Sequence, residues 1–497
     1  MLDTNILNNI SSHLAQSVSL FAPETALLCT FIVALFMDIF FGKIRNIAGY
    51  TVAVGFVITG VLLGVQSGVH QNAFLSMMAI DPFALFFKYL ILISGFAVVL
   101  MSFFSDEINK DGRKVGEYYA LIAGMTFGMF LLCGATNLIM VYLAIEMMSL
   151  SSYVLAGFTK EIKRSSEASL KYVIYGSISS GVMVYGMSIL FGATGSLNFS
   201  ELATIIPAGQ VDMFALIASG LMIIAGFGYK VSAVPFHFWT PDVYEGSPVT
   251  ITAFLSVASK TAGFAGFIRF AQIMFTNDPY LDWQIVLAVL AVITMTIGNL
   301  SAIWQSNAKR ILAYSAIAHA GYVLMGMVVM DKVGISSMMI YLFMYAFMNL
   351  GAFAVIMLIA NKIGSEDIDD YNGIGYKMPV LGALMVIFLV SLAGLPPTAG
   401  FIGKLYIFTA LFEKGDLWLW LAVVGVLNSV VSLFYYAKIF RNMYLRGTNN
   451  ENAEKWSFSP ASIAVVVLLA IPTLLLGVYF GPIVEWANNS AAMLFAN

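Results

Sequence analysis

Apolar runs of about 20 residues recur from one end of the sequence to the other, and each can cross roughly 30 Å of hydrocarbon as a helix. That recurrence fixes the fold class before any single residue is considered. In lipid every backbone N–H and C=O must be satisfied internally, which leaves helices or closed barrels. The runs are continuous rather than alternating, which argues against a barrel. Of the 497 residues, 60% are hydrophobic and 10% charged, against roughly 25% charged in an average soluble domain. The expectation is an all-α polytopic membrane protein. A net charge of -3 gives no basic footprint for nucleic acid, and the surroundings to expect are the lipid bilayer.

Fourteen spans are predicted: 20–41, 46–66, 82–104, 116–134, 137–158, 167–192, 211–232, 248–275, 283–302, 310–330, 335–361, 379–411, 417–439 and 461–482. The positive-inside rule tests this count. Connections after odd-numbered spans carry 16 Lys and Arg, whereas the opposite side has only Lys332 and Lys414. A miscounted helix would invert the pattern downstream. Both termini are therefore expected on the non-cytoplasmic side of a cell (inner) membrane. The first 19 residues carry no Lys or Arg, and no removable leader is expected. No linker divides the chain, so residues 1–497 read as one domain. It comprises helices 1–3 (1–115), a first group of five (116–275), a second (283–440) and helix 14 (461–482).

Chemistry should lie where charge enters the apolar stretches. Six cations fall inside spans: Lys88, Lys171, Lys230, Lys260, Arg269 and Lys404. For Lys88 and Arg269 the plain reading is a long stem reaching an interface. Lys171 stands one turn into its helix, where anchoring competes with function. For Lys230, Lys260 and Lys404 a structural salt bridge competes with an ion or proton path, and mid-helix charge costs roughly 2.5–3.5 kcal/mol on insertion scales. Glu146 is the one acid placed to answer them. His319 is the one histidine of four (His13, His70, His237, His319) well inside a span, and a hydrogen-bonded core histidine is its plain alternative. Cys29 and Cys133 are far apart within apolar runs and offer neither metal spacing nor a disulfide framework. With no nucleotide-binding glycine motif either, no cofactor is expected in this chain.

Two helices are disrupted in similar ways. "GFGYKVSAVPFHFW" puts glycines before Lys230 and Pro235 after it, and "SLAGLPPTAGFIGKLYIF" puts Pro396, Pro397, Gly400 and Gly403 before Lys404. Such backbone is tolerated at membrane depth only where it is buried or lines a cavity. The two are helices 7 and 12, five apart. A five-helix unit returns the chain to the opposite side, so helices 4–8 and 9–13 are expected to be inverted repeats with paired broken helices. The stretch "FHFWTPDVYEGSP" reads as a short interfacial segment. Burial disfavours an ammonium and a nearby carboxylate favours it. These residues therefore suit a lateral proton relay ordered Glu146 and Lys230, Lys260, His319, Lys404.

These stretches resemble a known family. "YLAIEMMSLSSYVLAGF", "SSEASLKYVIYGSISSG", "GFGYKVSAVPFHFWTPDVYEGSPVTITAFLSVASK", "QSNAKRILAYSAIAHAGY" and "AGLPPTAGFIGKLYIF" are similar to the antiporter-like membrane subunits of respiratory complex I, the NADH-quinone oxidoreductase. The N-type branch is the nearest match, because an M-type chain usually has glutamate where this one has Lys404. The resemblance implies proton translocation coupled to quinone reduction in neighbouring subunits. It implies that Glu146, Lys230, Lys260 and Lys404 match the family's helix-5, -7, -8 and -12 charged positions, and Lys171 a lysine often found on helix 6. The position of His319 varies among relatives. Implied partners are the M- and L-type subunits, the small K- and J-type subunits, and quinone bound elsewhere, with FMN and iron–sulfur clusters in partner subunits. Competing expectations are a free-standing or multi-subunit cation/proton antiporter and a non-pumping scaffold.

Overall fold

A computed structural model describes residues 14–110, 113–209, 211–446 and 454–495, the side chain of Thr276 excepted. His13 and most of the stretch read as leader-free lie outside the described residues. The chain is nearly all helical. The helices are α1 Ala22–Phe41, α2 Ile47–Val65, α3 Pro82–Ser102, α4 Gly116–Gly134, α5 Leu138–Ala156, α6 Lys163–Thr194, α7 Met213–Val231, α8 Val249–Phe275, α9 Trp283–Ile303, α10 Ala308–Val329, α11 Lys332–Ile363, α12a Pro379–Ala393, α12b Ala399–Lys414, α13 Leu419–Leu445 and α14 Pro460–Leu475. Every predicted span is thus helical, and twelve described helices are long and apolar enough to cross a membrane. The twelfth span forms as two pieces, and α14 is short.

Helix starts follow from local chemistry. The side chains of Asp81, Asn137, Asp212, Asp282, Asn307 and Asp331 each accept a hydrogen bond from a backbone N–H at the start of α3, α5, α7, α9, α10 and α11. These bonds satisfy donors that have no partner within the helix. Gly195 and Gly364 close the two 32-residue helices, α6 and α11, in the left-handed conformation, which glycine adopts without Cβ strain.

Loop contacts sort the connections into two ends. At one, Arg113 pairs with Glu161, Arg310 with Asp242 and Glu245, and Asp369 with Arg446. These are the connections the sequence assigns to the lysine-rich side. At the other, Asn137 bridges Asn198, Met78 bridges Ala135 in a small β-hairpin region, and Lys414 pairs with Asp331. Ser17 accepts from the Phe74 N–H, and Leu494 accepts from Gln272, so the first and last described helical turns lie at this lysine-poor end.

Both breaks are built alike. After α7 come left-handed Ser232 and a cis Val234–Pro235 bond, and after α12a come left-handed Gly394 and a cis Pro396–Pro397 bond. The segment read as interfacial lies at the lysine-rich end, where Asp242 and Glu245 pair with Arg310. It forms a short helix, Trp239–Gly246, with Trp239 and Tyr244 fully buried. The Trp239 indole donates to the Tyr229 carbonyl and its ring stacks on Tyr172, which draws the segment into the bundle.

Candidate functional site

The two breaks place charged side chains in the interior. Lys230 is 1% exposed, Lys260 3%, His319 3% and Lys404 3%. None makes an ion pair among the described residues; each is held by neutral groups. The Lys230 ammonium donates to Ser149 Oγ at 3.0 Å. Lys260 donates to the Ala316 carbonyl at 2.8 Å. It stands directly after a π-helical turn, Leu255–Ser259, a feature frequent at functional sites. Asn349 of α11 donates to Ser256 within that turn and fixes it.

Lys404 is the most fully held. It donates to the Ala393 carbonyl at 2.8 Å, to Leu392 at 3.3 Å and to Ser429 Oγ at 2.8 Å, and its ammonium lies 4.8 Å from the centre of the Tyr322 ring. The two carbonyls are last-turn groups that α12a cannot satisfy itself. They also sit at the negative end of the helix dipole.

Contacts connect these groups in one line across the bundle. Ser149, which holds Lys230, neighbours Met148, and the Met148 sulfur receives Ser259 Oγ. Gly263, one turn past Lys260, lies against the Lys230 stem. Lys260 reaches α10 at Ala316, and α10 carries His319. The His319 ring bonds Tyr341 through Nδ1 and Tyr436 through Nε2. Tyr341 packs on Gly403, beside Lys404. This is the order expected from chain position.

Two other candidate site residues, Glu146 and Lys171, lie differently. Glu146 is half-buried and bonded to Ser180 of α6, one turn from Ser149. It forms no ion pair with a lysine among the described residues. Lys171 lies off the line. It pairs with Asp242 at 2.6 Å and Glu167 at 2.9 Å in a cleft shared with Arg164, Glu245 and Arg310 at the lysine-rich end. Burial works against the charge of Asp242, but hydrogen bonds from Lys171 and Arg310 outweigh it and hold the carboxyl below its ordinary value.

Two readings are corrected. Lys88 does not reach for an interface. It forms a fully buried pair with Glu24 at 2.5 Å, because α1 supplies a carboxylate that the sequence reading passed over. Arg269 is likewise buried. It grips both oxygens of Asp81 and donates to the Cys133 carbonyl. Ser149, Ser429, Tyr322, Tyr341 and Tyr436 were not singled out either. Hydroxyls in apolar helices look like packing residues, and their one available signal is helical spacing to a charged neighbour, as from Glu146 to Ser149. Among the described residues no group of three His, Cys, Asp or Glu could hold a metal ion.

Residues 135–432 match the family model described as NADH:quinone oxidoreductase/Mrp antiporter, transmembrane. The chain is 48% identical to NADH-quinone oxidoreductase subunit N 2 of Chloroherpeton thalassium, over 99% of this chain and 98% of that one. Among solved structures it resembles a chain of respiratory complex I from Thermus thermophilus, with TM-score 0.77 and 26% identity over 93% of this chain and 98% of that one. It also shares its fold with a chain of the Mrp complex from Dietzia, with TM-score 0.81 and 19% identity over 96% and 98%.

Proposed function

The chain belongs to the NADH:quinone oxidoreductase/Mrp antiporter family of membrane subunits, and from that premise we propose that it moves protons along the line Lys230, Lys260, His319, Lys404. It is a multi-pass, proton-translocating membrane subunit of an NADH-quinone oxidoreductase and works beside other antiporter-like subunits. Quinone reduction in neighbouring subunits drives it. The redox groups are assigned to those neighbours, because two isolated cysteines cannot ligate a cluster. The lysine-rich end faces the cytoplasm.

One observation carries this reading. Four buried ionisable side chains stand in contact sequence, and neutral groups alone hold them. A carboxylate beside a lysine favours its charged form, and none of these four has one as a direct partner among the described residues. A lysine held by hydroxyls and carbonyls can give a proton up and take one back. Glu146 acts on Lys230 through its charge across one helical turn, without binding it. Movement of that carboxylate, or neutralisation of it by a neighbouring subunit, changes how firmly Lys230 keeps its proton. The kinship of α4–α8 with α9–α13 is supported by the paired breaks, the paired 32-residue helices and the bridges Asn137–Asn198 and Asn307–Asp367 at opposite ends.

The test uses the assembled complex in sealed vesicles. Lys230→Ala, Lys260→Ala and Lys404→Ala are each expected to lower proton pumping by about tenfold or more, with assembly retained. Parent-level pumping in all three would reduce the chain to a scaffold. Sodium/proton exchange by the chain alone, without the redox subunits, would instead identify an antiporter.

A further inference from the structure

Building on that proton-carrying role, we propose that Tyr341 and Tyr436 pass protons themselves and that His319 works between them by exchanging tautomers. Both ring nitrogens of His319 are taken by phenol hydroxyls, Nδ1 by Tyr341 and Nε2 by Tyr436, the latter at 3.0 Å. All three side chains are buried. A neutral imidazole has one N–H and one bare nitrogen, so one hydroxyl donates to the ring while the other accepts from it. Tyr436 continues through its hydroxyl to Ser315, next in the chain to Ala316, whose carbonyl holds Lys260. On the other side Tyr341 lies against Gly403, the residue before Lys404. The imidazole therefore sits between two hydroxyls, one bonded to the chain neighbour of the residue that holds Lys260 and the other on a ring packed beside Lys404.

The step balances without leaving a charge in the interior. A proton reaches the Tyr436 oxygen from the Ser315 side while the original Tyr436 hydroxyl proton moves to Nε2. The Nδ1 proton moves to the Tyr341 oxygen, and the Tyr341 hydroxyl proton leaves toward Lys404. One proton enters and one departs, and the ring changes from the Nδ1–H to the Nε2–H tautomer. Restoring the first tautomer without sending the proton back requires the ring to leave at least one of its hydroxyls. His319 thus passes one proton per conformational cycle and blocks free leakage between cycles.

Three variants in the assembled, vesicle-embedded complex test this, with Lys404→Ala as reference. Tyr341→Phe and Tyr436→Phe each remove one oxygen and keep the ring. His319→Gln keeps one donor and one acceptor for the two hydroxyls but cannot exchange tautomers. Each should lower pumping about tenfold. Each should also enlarge the solvent hydrogen/deuterium isotope effect on pumping, because transfer at this point becomes the slow step. A loss of pumping with the isotope effect unchanged would mark them as packing residues and overturn the proposal. Parent-level pumping in His319→Gln, or in both phenylalanine variants, would overturn it too while a defective Lys404→Ala left the wider relay standing. Parent-level pumping in Lys404→Ala would overturn this proposal, and in Lys230→Ala and Lys260→Ala as well it would sink the wider relay. If one variant fails to assemble, the other two decide.

Discussion

The breaks after α7 and α12a share their backbone and differ in what their lysines bind. At both, N–H groups just past the helix take the carbonyls of the preceding turn, Gly228 and Tyr229 at the first and Val390 and Ser391 at the second. Gly228 accepts from the Ala233 N–H, and Tyr229 accepts from the Ser232 N–H and the Trp239 indole. Lys230 stands just before the left-handed residue and is free to reach across to Ser149 on α5. At the second break Lys404 stands well after the left-handed residue and turns back, and its ammonium itself caps Leu392 and Ala393. One half thus keeps its lysine apart from the architecture of its break, and the other makes the lysine part of it. A cation that also holds backbone together cannot be removed without a structural cost, whereas one held by a single hydroxyl can.

The largest expected effect breaks that comparison most directly. Lys404→Ala should abolish pumping and also lower the thermal stability of the complex, since a buried acceptor left unsatisfied costs about 1–3 kcal/mol. Lys230→Ala should match the loss of pumping with its melting temperature close to the parent's. Differential scanning fluorimetry on the purified complexes reads the difference. Equal melting shifts in the two variants would show that the halves hold their lysines equivalently.

A smaller effect should come from Glu146→Gln. Aligned on their capping asparagines Asn137 and Asn307, Glu146 corresponds to Ala316, so the second half has no carboxylate at that position. The glutamine keeps the bond with Ser180 and removes only the charge. We expect pumping to fall several-fold, less than for Lys230→Ala, with the Lys404 end undisturbed. In a double variant with Ser429→Ala the two losses should multiply, because no shared partner couples them. A double variant no worse than Glu146→Gln alone would show that the carboxylate acts on the whole line.

Much of this was legible in the sequence because it is written locally. Twenty-residue apolar runs dictate helices, and loop charge dictates parity. Pro235, Pro396 and Pro397 dictate where two helices must stop. Lysines in apolar runs marked the line, and their order along the chain matches their order in space. What stayed hidden depends on distant packing. Nothing in the α3 sequence names Glu24 as the partner of Lys88, and nothing near Arg269 points to Asp81. The π-helical turn before Lys260 has no sequence mark, since it arises where α8 packs in a fully buried position. Lys171, read as one turn into its helix with anchoring and function both open, likewise depends on distant packing, because α6 exposes much of its surface and Asp242 claims the amine.

The smallest effect concerns the lysine-rich mouth, where charges are paired and wet, unlike those of the interior line. Hydrogen bonds from Lys171 and Arg310 hold the Asp242 carboxyl below its ordinary value despite its burial. A depressed carboxyl contributes stability that is fully present above its unfolded value, about 3.9, and is lost only as pH falls through the lower folded value. Asp242→Asn should therefore destabilise the complex slightly and by the same amount at pH 8, 7, 6 and 5. Salt should shrink the difference, because these side chains are partly exposed and screened. Pumping should stay near the parent level if Lys171 lies off the conducting line. A stability difference that already fades between pH 8 and pH 5 would mean that Asp242 keeps its proton to higher pH than its two cationic neighbours allow. The mouth would then have to be counted among the titrating groups of the relay, and the division between a paired rim and an unpaired interior would fail.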